Sequence, residues 1–298
     1  MDLVVSCATL PHPGETIVAK SSSEVPGGKG ANQAVAASRC GGVVSMIGRV
    51  GDDAFANRLV DNLRRDDVQV DAVQRLSECS SGIAVVSVES SGENSIIVVP
   101  GANGRLSPDD LNDVTDLITQ ADQLVMQLEI PLETVAAANT IAKSAGVRTI
   151  LDPAPMPSSL GGEILDVDLI CPNQSEASQL LGSPIRTKDD AIAAIPRLHR
   201  MGPRNVVITL GRQGTVISNG SRHEFVPPFP VTAIDTTAAG DAFAGALAVR
   251  LAEGSDLWEA ARFASAAGAL AATRSGAQPS MPQRTEIESL LDRNNSSH

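Results

Sequence analysis

The run DTTAAGDAFAGALAVRLA, residues 235–252, sets two carboxylates around small and hydroxyl residues and then turns almost wholly apolar. Residues 242–249 offer almost no polar face, so the helix they form is predicted to be buried, with only its beginning near solvent. Its amino end is expected to sit inside the protein. A buried helix start leaves the amides of Ala239, Gly240 and Asp241 without partners, and those donors together with the helix dipole make a place for phosphate oxygens. Gly240 has no Cβ, which lets a ligand approach the backbone. A first-turn acid such as Asp241 has a plain reading as a dipole partner. Beside donors for a phosphoryl group, the same carboxylate can take the proton of an attacking hydroxyl, the base role of phosphoryl transfer.

Outward from this run the chain alternates. Strands are predicted at 123–128, 147–151, 169–171 and 205–210, with helices at 132–145, 174–181 and 188–200 between them, and helices at 241–251 and 256–273 closing the chain. Such alternation implies parallel strands joined by right-handed crossovers, with ligands collecting at the carboxyl ends of the strands. Ser107, Pro108, Asp109 and Asp110 mark a helix start by several agreeing signals. Pro196 is expected to kink or break its helix, at a cost of roughly 3 kcal/mol. Nearer the amino end, residues 30–39 and 53–66 read as helices and 43–49 as a short strand. Runs at 3–8, 15–20, 82–89 and 94–100 read as strand pairs, which suggests a small sheet apart from the main one. Residues 293–298 are polar enough for a frayed tail.

Composition narrows the function classes. With 298 residues and 42% hydrophobic content, the chain can build one large α/β domain. A net charge of −12 argues against a nucleic-acid partner, and five Phe, one Trp and no Tyr leave no platform for stacking bases. Cys7, Cys40, Cys79 and Cys171 show neither CxxC spacing nor a nearby histidine, so reduced thiols in a cytoplasm fit better than zinc or disulfides. Residues 1–15 lack a basic region followed by a long apolar core, and no run approaches a membrane span. A soluble, unexported protein is expected. His12, His199, His223 and His298 lie in turns, on a polar helix face or in the tail, and none is assigned to catalysis.

DTTAAGDAFAGAL, with PGGKGANQAVAASRCGG at residues 26–42, resembles the two signature stretches of the ribokinase-like (PfkB) sugar kinases. The resemblance runs over nearly the whole chain, and two long motifs in order are far more specific than one glycine loop. It implies an α/β fold, a three-layer sandwich with a mainly parallel central sheet and a small β-sheet lid. Residues 1–298 would be a single kinase domain, with lid strands near 3–20 and 82–100. The implied activity is transfer of the γ-phosphoryl of ATP to O5 of D-ribose, with Mg²⁺, an activating K⁺, and a homodimer formed through the lid.

Individual residues carry over from the matching motifs. Asp241 would be the base. Asp2, Gly28, Lys29, Gly30, Ala31, Asn32 and Glu129 would contact the sugar, although Gly27–Asn32 alone could be an ordinary glycine turn and Glu129 a helix cap. Thr209, Leu210, Gly211, Arg212, Gln213, Gly214, Asn173, Ser265, Ala239 and Gly240 would hold the nucleotide. Asn173 and Glu176 would lie near magnesium and reach it through water; their rival reading is a capping box. Asp235, Thr237, Ala271, Arg274, Gly276 and Ser280 would surround the monovalent cation, mostly through carbonyls.

One departure stands out. Relatives begin with a buried strand and Gly-Ser-x-Asn-x-Asp, of which Met1-Asp2 matches only the last two positions. Without that strand a sheet position is expected to be uncovered and sugar binding weakened. The alternatives are another sugar or a nucleoside as acceptor, or a non-catalytic sensor of sugar or nucleotide. A lid without aromatic residues speaks against a nucleoside, and the intact DTTAAGD speaks against a sensor.

Overall fold

The computed structural model describes residues 1–91 and 94–295. Its first strands, β1 (Asp2–Cys7) and β2 (Ser21–Val25), pair antiparallel with Asp2 opposite Val25. After α1 (Lys29–Arg39) come β3 (Gly48–Val50) and α2 (Ala54–Arg65), whose cap Asp53 accepts from the amides of Phe55 and Ala56. Next are β4 (Val73–Arg75), β5 (Ile83–Glu89) and β6 (Asn94–Val99). A four-stranded sheet runs β2-β1-β5-β6, parallel between β1 and β5 and antiparallel elsewhere. This is the small separate sheet expected from the strand pairs, with one correction. Residues 15–20 are loop, Val18 is 93% exposed, and the polar segment Ser21–Val25 forms the edge instead. An edge strand open to water needs no apolar alternation, so pairing with β1 decides its place.

A 3₁₀ turn over Pro108–Val114 starts at the capping box of Ser107 and Asp110 and leads into α3 (Thr115–Thr119). Then β7 (Gln123–Met126), α4 (Leu132–Ser144), β8 (Arg148–Leu151), α5 (Gly162–Leu165), β9 (Leu169–Ile170), α6 (Gln174–Leu181), α7 (Lys188–His199) and β10 (Asn205–Thr209) follow. These four strands are parallel, and β11 (Thr215–Ser218) and β12 (His223–Val226) extend the sheet antiparallel, giving the order β12-β11-β10-β9-β8-β7. Both faces are buried, as a parallel sheet between helices requires. Ile150, Leu169 and Val207 enter one core while their neighbours Leu151, Ile170 and Val206 enter the other. The expected break at Pro196 does not occur. The residue lies in the last turn of α7 on its exposed side, where the carbonyl left without its donor can turn to water.

Three helices complete the layer on the second face: α8 (Ala239–Ala252), α9 (Leu257–Ala271) and α10 (Arg284–Asn295). Every residue of α8 from Asp241 to Val249 is buried. The polar stretch read as a tail begins inside α10, whose Ile287 and Leu290 reach the core; Ser296, Ser297 and His298 lie outside the described residues. β3 and β4 form a separate parallel pair, and β7 ends the main sheet.

Candidate active site

A glycine decides how closely α1 and α8 cross. A Cβ at Gly245 would lie 2.5 Å from the carbonyl oxygen of Gln33 and 2.8 Å from the amide nitrogen of Ala37, so only glycine allows this approach. Gly245 is one turn beyond Asp241, and the crossing therefore delivers the start of α1 to that carboxylate. Asn32 Nδ2 donates to Asp241 Oδ2 at 2.9 Å, Gln33 Nε2 donates to Oδ1 at 3.1 Å, and Lys29 Nζ lies 4.0 Å from Oδ1. Asp241 is 4% exposed, so these donors replace most of its water.

The expected sugar contacts converge on the same place. Gly28 caps α1 with φ +94°, and the next amide, that of Lys29, donates to Glu129 Oε2 at 2.8 Å. Asp2 packs directly on Gly27, where a Cβ would fall 2.1 Å from Oδ2. Asp2, residues 28–32 and Glu129 all line one cavity. Asn32 Oδ1 is buried there with no partner, an acceptor waiting for a donor. Burial raises the carboxyls of Glu129 and Asp2 above their usual range, with the charge of Asp241 adding to both. Burial opposes the Lys29 ammonium, yet Asp241, Asp152, Glu176 and Glu129 together hold it above its ordinary value.

The residues expected around a nucleotide are placed unevenly. The start of α8 is open rather than enclosed: Thr236, Thr237 and Gly240 are exposed, and a Cβ at Gly240 would meet nothing within 4 Å. Of the three amides expected to be free, that of Ala239 donates to Thr236 O at 3.2 Å. The turn itself takes it, helped by Ala238 in the left-handed region at φ 57°, and Gly240 and Asp241 remain as first-turn donors. Asn173 and Glu176 form the capping box of α6, with Asn173 Oδ1 accepting from the Glu176 amide and Glu176 Oε2 from the Asn173 amide. They also follow the end of β9, and burial raises the Glu176 carboxyl, with the charge of Asp241 adding to it. Thr209 ends β10, and Gly211, Arg212 and Gln213 form an exposed turn closed by Gly214 after the buried Leu210. Ser265 on α9 donates to Ala261 O and meets Thr215 Oγ1 at 3.2 Å.

The residues expected around a monovalent cation are brought together in part. Asp235 accepts from the amides of Thr237 and Gly276, both at 2.9 Å, tying the loop before α8 to the one after α9. Although burial opposes its charge, the Thr237 hydroxyl and those two amides hold its carboxyl below the usual range. The Ala271 carbonyl accepts from the Arg274 amide, the Arg274 guanidinium pairs with Glu286, and the buried Ser280 hydroxyl donates to Ala277 O.

Three residues at the centre escaped sequence reading. Gln33 Nε2 is shared between Asp241 and Asp152 Oδ2, the latter at 2.7 Å, while Gln127 Nε2 donates to Gln33 Oε1 at 2.6 Å. Burial pushes the Asp152 carboxyl up to about 8, with Asp241 and Glu176 adding to the effect of burial. Asp152 directly follows β8, so the rule that ligands gather at the carboxyl ends of parallel strands could have found it. Gln33 adjoins Asn32 in its motif but carries no signal of its own.

Known proteins share this sequence pattern and this fold. The model of the pfkB family of carbohydrate kinases matches residues 1–284. A ribokinase of Bacillus subtilis is 42% identical over 292 residues, covering 98% of this chain and 96% of that protein. A deoxyribokinase of Salmonella typhi is 35% identical over 295 residues, covering 99% and 96%. The structure of Arabidopsis thaliana ribokinase complexed with ribose and ATP superimposes with a TM-score of 0.91 at 35% identity, covering 97% of this chain and 95% of the other. The three-layer α/β fold and its β-sheet lid are therefore those of a sugar kinase, and the chain belongs to the PfkB family of carbohydrate kinases.

Proposed function

We propose that the chain transfers the γ-phosphoryl of ATP to O5 of D-ribose, with Asp241 as the base. The observation that carries this reading is the convergence of Asn32, Lys29 and Gln33 on a buried Asp241, beside a cavity lined by Asp2 and Glu129. The unpartnered Asn32 Oδ1 and the carboxyl groups of Asp2 and Glu129 suit hydroxyl donors of a sugar. In the transfer, the O5–H proton passes to an Asp241 oxygen as the bond from O5 to the γ-phosphorus forms and the bond to the β-phosphate oxygen breaks, releasing ADP. The amides of Gly240 and Asp241 and the Lys29 ammonium lie where phosphoryl oxygens would gather. Gln33 holds Asp241 in orientation through Asp152 and Gln127.

Two ions fit the residues present. Glu176 already accepts from Asn173 through both oxygens, so a magnesium ion would be held there through water, supplying charge for the ATP phosphates. The loops joined by Asp235 offer one carboxylate and several carbonyls, a set suited to potassium. On β6, Ile96, Ile97, Val98 and Val99 are 45–66% exposed, which suits a homodimer through the lid. No described helix is long and apolar enough to cross a membrane, and the four cysteines are free, as in a cytoplasmic enzyme.

A second acceptor, 2-deoxy-D-ribose, follows from the likeness to a deoxyribokinase. A coupled assay of ADP release over a sugar panel separates the readings, with the phosphorylated carbon located by NMR. Turnover of D-ribose with phosphate on C5 is expected. Turnover confined to another sugar would overturn the assignment.

A further inference from the structure

The chain enters the lid through Ser81 and Gly82, just before β5, and leaves it at Pro100 and Gly101, just after β6. One carboxylate reaches this crossing. Asp53, the cap of α2, accepts through Oδ1 from the amides of Phe55 at 3.1 Å and Ala56 at 3.0 Å and from the Ser81 hydroxyl at 2.9 Å, and through Oδ2 from the Ser81 amide at 2.7 Å. The Ser81 hydroxyl accepts in turn from the Gly51 amide at 3.0 Å, and Ser81 is 1% exposed. Burial opposes the charge of Asp53, yet the Ser81 amide and hydroxyl and the amides of Ala56 and Phe55 hold its carboxyl below the usual range. An ionised acceptor makes shorter and stronger bonds than a neutral one. The backbone on either side leaves no slack: a Cβ at Gly51 would fall 2.3 Å from the Cys79 carbonyl oxygen, and one at Gly101 would fall 2.5 Å from that of Ser80.

A helix cap needs one oxygen, and Oδ1 already serves the two amides of α2. The bonds to Ser81 therefore do something else. β5 pairs parallel with β1, which places Ala84, three positions beyond Ser81, opposite Asp2. Asp2, Ala84, Val86 and Ile96 line the cavity together, so the lid wall starts from the point that Asp53 holds. α2 also meets the lid through Arg58 and Glu24, but that pair is exposed at both ends and worth little. We propose that Asp53 is a positioning residue for the sugar acceptor: by clamping Ser81 at the root of the lid, it sets where Asp2 and the lid wall meet the sugar. This rests on the reading of the cavity as a sugar site. Asp53 touches no reacting atom, so its loss should weaken the hold on the sugar more than it slows proton transfer.

Asp53→Ser separates the two roles, because serine caps a helix about as well as aspartate yet is too short to reach Ser81 as well. Ser81→Ala removes the other end of the clamp. D-ribose and ATP are titrated into each by calorimetry, with steady-state kinetics for both substrates. Both variants should raise Kd and KM for D-ribose by about tenfold, the scale of one hydrogen bond to a charged group, and by more than any fall in kcat, with KM for ATP retained. In an Asp2→Ala background Asp53→Ser should cost clearly less than in the parent, since the clamp acts through Asp2. Hydrogen exchange without sugar should quicken at residues 83–89 in Asp53→Ser while α2 keeps its protection. Affinity for D-ribose within about twofold of the parent in both variants, or the same loss with and without Asp2, would overturn the proposal. Equal rises in KM for sugar and ATP would overturn it too. A parent that binds no D-ribose would sink the sugar reading instead, and unchanged exchange at residues 83–89 would then sink the clamp separately.

Discussion

Asp152 shows how one buried carboxyl couples the site to stability. Its carboxyl is raised from 3.8 to about 8, chiefly by burial. Between those values the folded chain holds a proton that the unfolded chain has lost, so the contribution is fully present below about pH 4, falls as pH rises, and is gone above pH 8. The slope approaches about 1.4 kcal/mol per pH unit inside that window. Asp152→Asn keeps the shape and removes the titration, and its Tm relative to the parent should rise from pH 5 and level off above pH 8. Thermal melts at each pH decide this, and a difference independent of pH would show that Asp152 does not titrate there. None of this was legible beforehand. A carboxyl after a strand is visible in the sequence, but its neighbours Gln33 and Lys29 come from α1, more than a hundred positions away.

At the scale of elements, the contact of α1 with α8 sets the geometry of the site. Gly245→Ala would place a methyl group against the Gln33 carbonyl, and overpacking of this kind costs about 1–3 kcal/mol. Because the same shift moves Asn32 and Gln33 from Asp241, kcat should fall more than Tm alone explains; kinetics at a temperature well below the melt checks this. An unchanged kcat would mean that the crossing distance is not critical. Elements with local signals were readable: α6 was placed at its true bounds because Asn173 and Glu176 mark its start, and the parallel strands because apolar runs alternate with helices. β2 was not, since Ser21–Val25 is polar and held by β1, and neither was the continuity of α7 through Pro196, which depends on where that residue falls on the helix surface. That α8 begins near solvent was legible from its apolar run, but the openness of the loop ahead of it was not, because apolarity of a helix says nothing about that loop.

Across the whole molecule, the site joins distant parts: Asp2 from the lid, residues 28–32 from α1, Glu129 after β7, and Asp241 on α8, with the Asp235 loop fastened to Gly276 behind it. If a cation steadies that loop, initial rates at constant ionic strength should be several-fold higher in potassium chloride than in sodium chloride, and equal rates would remove the cation from the account. The central claim is that the carboxylate gathered by these elements accepts the sugar proton. It is tested most directly by ADP release from ATP and D-ribose in the parent and in Asp241→Asn, with ATP binding to each measured by calorimetry. The expected result is a rate lower by about 10²- to 10⁴-fold with ATP affinity retained. A variant that turns over at a near-parental rate would contradict it.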